Sequence, residues 1–84
     1  MKQLNEAYIS FHLREAAESI RELIEAIESD PEYEIGSYTA DMMHLYHHVN
    51  TAWNARFSSE EESEACSEEN FERWRQYPSD LQMT

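Results

Sequence analysis

Eighty-four residues carry eighteen Asp and Glu against six Lys and Arg, a net charge of −12, with one Gly, two Pro and one Cys. Such a chain has room for one small domain with a thin core, too few turn residues for an all-β fold and no partner for an internal disulfide. It lacks an apolar run long enough for a membrane span or the basic-then-apolar layout of a signal peptide, which points to the cytoplasm, and its charge opposes nucleic acid and anionic membrane as partners.

Residues 3–29 contain no Gly or Pro and many strong helix formers. Leu13, Ala16, Ala17, Ile20, Leu23, Ile24 and Ile27 recur at the spacing of one helical face. Asp30-Pro31 stops that helix, because the residue before Pro leaves the α region and the ring blocks continuation. Gly36-Ser37 reads as a restart with Ser37 as N-cap. A second helix follows over about 38–56, with Tyr38, Met42, Leu45, Tyr46, Val49 and Trp53 as its stripe. The short connection predicts an antiparallel hairpin.

The stretch 58–66 is an acidic Ser/Glu-rich connector in which Ser59 and Glu62 fit a capping box. Ser67 opens a shorter helix over about 68–77, with Phe71, Trp74 and Tyr77 on its edge, ended by Pro78. Residues 78–84 read as a flexible tail. The expected fold is therefore all-α, a helical hairpin plus a shorter C-terminal helix. Charge is unevenly spread over it: residues 38–57 are neutral overall, and residues 58–84 carry half of the net −12. The central helix reads as the buried one, and the acidic ends as its cover.

The first helix has a second apolar stripe. At about 100° per residue, Leu4, Ala7, Tyr8 and Phe11 fall nearly opposite Leu13 to Ile27. A 27-residue helix is about 40 Å long, whereas a compact chain of this size has a radius of gyration of about 12 Å. The helix should overhang its own core, and a second copy of the chain is the natural cover. Leu4, Tyr8 and Phe11 are the expected contact of a homodimer that completes the fold.

One local pattern has ligand spacing. Asp41, His44 and His48 fall at i, i+3 and i+7, and the two imidazoles sit on adjacent turns, where they could chelate a divalent metal ion. His12 reads as lying opposite Asn54, out of reach. The Glu-x-x-His and His-Glu-x-x-His patterns of carboxylate-bridged and hydrolytic metal centres are absent. Cys66 lies among Glu64, Glu68 and Glu69, a negative surround that disfavours the thiolate. With no Gly-rich loop and no catalytic constellation, neither a cofactor nor an enzymatic reaction is expected.

Three functional classes remain. The leading one is a small acidic interaction module that dimerises and binds another protein. The second is a metal-binding protein built on Asp41, His44 and His48. The third is an inhibitor of a basic protein such as a nuclease toxin, steered by Glu60, Glu61, Glu62, Glu64, Glu68 and Glu69. Tyr77-Pro78-Ser79-Asp80, with the length and acidity, resembles the bacterial nuclease-colicin immunity proteins. That family places a further helix after this segment, whereas four residues follow it here, so the chain is not assigned to it.

Overall fold

A computed structural model of the chain describes residues 3–65 and 67–81. Four helices follow in order: α1 (Glu6–Ser29), α2 (Ile35–Asn54), α3 (Glu60–Glu64) and α4 (Glu68–Trp74). No strand occurs among the described residues, and none of their helices is long and apolar enough to cross a membrane. Cys66 and residues 82–84, to which the thiol and part of the tail readings refer, lie outside the described residues.

The start of α1 is fixed by Asn5. Its side-chain oxygen accepts from the Tyr8 amide at 3.3 Å, and its Nδ2 donates to the Ser58 carbonyl at 3.2 Å. Its own amide donates to the Arg56 carbonyl at 2.8 Å. One residue thus caps α1 and ties it to the chain leaving α2. At the other end, the Asp30 carboxylate accepts from the Glu32 amide at 2.9 Å and closes a tight turn around Pro31.

The helix after this turn starts three residues earlier than Ser37 and Tyr38 suggest. Glu34 is the extended N-cap of α2 and makes no side-chain cap bond, so Gly36 and Ser37 lie inside the first turn. The Asp30 turn has already reversed the chain, and the backbone resumes helical bonding as soon as it can, with the Tyr38 amide donating to the Glu34 carbonyl. A Gly there costs about 1 kcal/mol relative to Ala, which the rest of a 20-residue helix outweighs.

The connector 58–66 contains a helical turn. Ser59 and Glu62 form the capping box in both directions, with the Ser59 amide donating to Glu62 at 2.9 Å and the Glu62 amide to Ser59 Oγ at 3.1 Å. Ser67 caps α4 through the Asn70 amide. That helix ends at Trp74, short of Tyr77, because α2 captures its last carbonyls. Asn54 Nδ2 donates to those of Trp74 and Gln76, and Asn50 Nδ2 to that of Arg75. Beyond it, Asp80 accepts from Trp53 Nε1 at 2.9 Å and pairs with Arg56 at 3.2 Å. The part of the tail up to Leu81 therefore includes a residue fastened to the end of α2.

The α1–α2 seam is built from small and polar side chains. Its buried members include Ala16, Ala52 and Ala55 together with His12, His48 and Thr51. Small side chains let the two backbones approach, and the larger aliphatics stand beside the seam instead of in it. This rotates the packed line of α1 from the predicted one. Leu13, Ile20, Ile24 and Ile27 remain 43–52% exposed, while His12, Ala16, Ser19, Leu23 and Ala26 turn inward. Trp74 buries its indole as α4 packs on α2 and Tyr8. The result is elongated, 49 × 29 × 21 Å with a radius of gyration of 14.7 Å.

Candidate functional site

The hairpin register decides which residues meet. Only Asp30 to Glu34 separate α1 from α2. The early start of α2 accounts for three residues of a six-residue change in register: His12 faces His48, not the Asn54 expected opposite it. His12 Nδ1 lies 2.9 Å from His48 Nδ1, and His48 Nε2 lies 3.3 Å from His44 Nε2. His47 flanks the same seam, with its ring 5.9 Å from that of His12 and 4.7 Å from that of Phe71 on α4. All four histidines of the chain meet in one place, drawn from two helices.

Asp41 stands apart from them. It accepts a hydrogen bond from the Tyr33 hydroxyl at 2.5 Å, at the turn end of the hairpin. Partial burial and this bond push Tyr33 up to about 12. Of the three residues with ligand spacing, His44 and His48 are brought together and Asp41 is not. His12 takes the place the sequence offered to Asp41.

Burial first, and the neighbouring rings second, disfavour the charged forms of His12, His47 and His48. Burial, then the neighbouring His48 and His47, lower His12 to about 4. Burial and the neighbouring His48, His44 and Arg75 lower His47. Burial and His44 lower His48, against the opposing pull of Glu15. No carboxylate hydrogen-bonds His12, His47 or His48 among the described residues. His12 Nε2 is the one buried side-chain polar atom among them without a partner.

A second feature is the flank of the hairpin away from α4. By helical geometry Leu13, Ile20, Ile24 and Ile27 of α1 and Tyr38 and Val49 of α2 fall on the same side of the seam, and all are exposed by 39% or more. By helical geometry, Glu18, Glu22 and Glu25 project from the other side of α1. Of the expected dimer residues, Tyr8 packs edge-on against His12 and Trp74. Leu4 and Phe11 are half exposed, and Phe11 lies with Tyr8 beside α3. The acidic group is divided in the same way. Glu62 is engaged by Ser59 and lies 3.8 Å from Arg73, whereas Glu60, Glu61, Glu64, Glu68 and Glu69 are exposed.

No protein-family model matches the chain, and comparison with curated proteins and with solved structures finds no match.

Proposed function

We propose that the chain is a homodimeric helical interaction module, paired through the hairpin flank opposite α4. The observation that carries this reading is the exposed stripe Leu13, Ile20, Ile24 and Ile27 beside Tyr38 and Val49. A row of exposed large apolar side chains on one helix of a small chain marks a contact surface.

Area supports a second copy as the occupant. The chain exposes 6703 Å², whereas a compact folded protein of its mass exposes about 5,200 Å². The excess of about 1,500 Å² is more than the roughly 800 Å² per partner of a standard interface. Two hairpins packed face to face would make a four-helix bundle, the ordinary way for helix pairs to acquire a core. The acidic α3–α4 edge would then face outward on both copies, available to a basic protein.

Sedimentation equilibrium tests the reading. The expected particle is twice the 10.0 kDa chain, and Ile20→Glu with Ile24→Glu should return it to the single-chain mass. A single-chain mass for the unaltered protein at high micromolar concentration would overturn it.

A further inference from the structure

We propose that His12 of α1 and His47 and His48 of α2 form a binding site for a divalent transition-metal ion of the zinc class, clamping the two helices of the hairpin together. One ring nitrogen from each of the three lies within 4.8 Å of the others. Ligand nitrogens around tetrahedral zinc, bonded at about 2.0–2.1 Å, sit about 3.3 Å apart. The His12–His48 pair at 2.9 Å needs to open slightly, and His47 needs a modest side-chain rotation to close.

A purely structural role leaves this cluster poorly satisfied. A neutral imidazole has one N–H and one lone pair, and buried histidines ordinarily place both on carboxylates, carbonyls or hydroxyls. Here the seam supplies mostly other imidazoles. Whichever ring of the His12–His48 pair donates, His12 Nε2 is left as an unpaired donor or an unpaired acceptor, in a residue only 5% exposed. A buried polar atom without a partner costs about 1–3 kcal/mol. An ion bound by the Nδ1 atoms of His12 and His48 replaces a contact between two rings by two metal bonds and fixes Nε2 of each as an N–H donor, without itself satisfying His12 Nε2.

The surroundings suit an open site. His12 and His47 line a cavity of about 270 Å³ with Tyr8, Phe11, Thr51 and Phe71. Three protein ligands with space for water in the fourth position is the arrangement of a zinc site that can still take a ligand. Imidazole donors select zinc, copper or nickel over magnesium or calcium, which prefer oxygen. His44, 3.3 Å from His48, lies outside the three-membered set.

The test is zinc titration of the chelator-stripped, untagged full chain by calorimetry, in high salt to suppress loose binding to the acidic surface. One ion per chain is expected, with His12→Gln and His48→Gln each weakening it at least tenfold and His44→Gln leaving it within about twofold. Substitution with cobalt(II) should give the visible bands of a four-coordinate nitrogen site, and zinc should shift the ring resonances of His12, His47 and His48 in the unaltered chain. This last readout does not depend on any variant folding. No stoichiometric zinc binding by the unaltered chain would overturn the proposal, as would binding that survives His12→Gln. The cluster lies on the α4 flank, so the Ile20→Glu, Ile24→Glu chain should bind zinc even if dimerisation fails.

Discussion

His12 Nδ1 and His48 Nδ1 lie 2.9 Å apart across the hairpin seam, a hydrogen bond that requires at least one of the two rings to be neutral. The groups around the pair are Tyr8 and Glu15 on α1, His44 and His47 on α2, and Arg75, the residue after α4, beside His47.

This makes the metal-free fold sensitive to acid. His12 titrates near 6.5 when unfolded and about 4 when folded, so between those values the unfolded chain binds the extra proton. Stability is full above about pH 6.5, falls as the pH drops through that window and levels off below about pH 4 as far as this residue is concerned. The lowering of His47 and His48 acts in the same direction. His12 also lines an open cavity, so screening reduces the full effect to about 1–2 kcal/mol. Urea unfolding at pH 7 and pH 5, with chelator present, should show a lower midpoint at pH 5. The drop should shrink in His12→Gln, and an unchanged or higher midpoint at pH 5 would contradict the expectation.

Asn54→Ala should release α4. Its Nδ2 donates to the Trp74 carbonyl at 2.8 Å and to the Gln76 carbonyl at 2.6 Å, and Ala supplies neither bond. The expected cost is about 1–2 kcal/mol. It should appear first as faster hydrogen exchange of the amides that close α4, such as that of Arg75, with those at the middle of α1 unchanged. Uniform acceleration along the chain would mean that α4 and the hairpin unfold as one unit.

The sequence made the helices legible because their signals are local: the Asp30-Pro31 stop, the Ser59–Glu62 capping box and the Ser67 cap are each settled within four residues. The site was legible only in part. His44 and His48 are one turn apart on one helix, so their proximity follows from spacing alone. His12 depends on the register between α1 and α2, which shifts with every residue by which α2 starts early. The packed line of α1 was hidden for a different reason. Hydropathy points to Ile20, Ile24 and Ile27, but a close approach of two helices selects Ala16, Ala52 and Ala55, and small residues carry little weight in a hydropathy pattern.

The division between seam and flank predicts opposite responses to substitution. Ala16 is 4% exposed between two backbones, so Ala16→Leu should overpack the seam and cost about 1–3 kcal/mol of chain stability. Ile24 is 49% exposed, and Ile24→Ser should change the stability of the isolated chain little while weakening the proposed dimer at least tenfold. Unfolding monitored in dilute solution and sedimentation at high concentration separate the two effects. An Ile24→Ser chain as destabilised as Ala16→Leu when dilute would place Ile24 in the core of the single chain.

Salt should act in opposite senses on the two contacts proposed for this protein. Each copy carries a net −12, so bringing two together costs electrostatic work, while the contacting stripe itself is apolar. At 1 M salt the screening length is about 3 Å, against about 10 Å at 0.1 M, and that repulsion is largely removed. The dimer should tighten as sodium chloride rises over this range. Association of the exposed Glu60, Glu61, Glu64, Glu68 and Glu69 with a basic protein should instead weaken, because its attraction is screened in the same way. Dimer dissociation constants by sedimentation at the two salt concentrations check the first. The same comparison with a strongly basic protein such as a histone checks the second. A dimer that loosens in salt would show that ion pairs, not Leu13, Ile20, Ile24 and Ile27, dominate its contact.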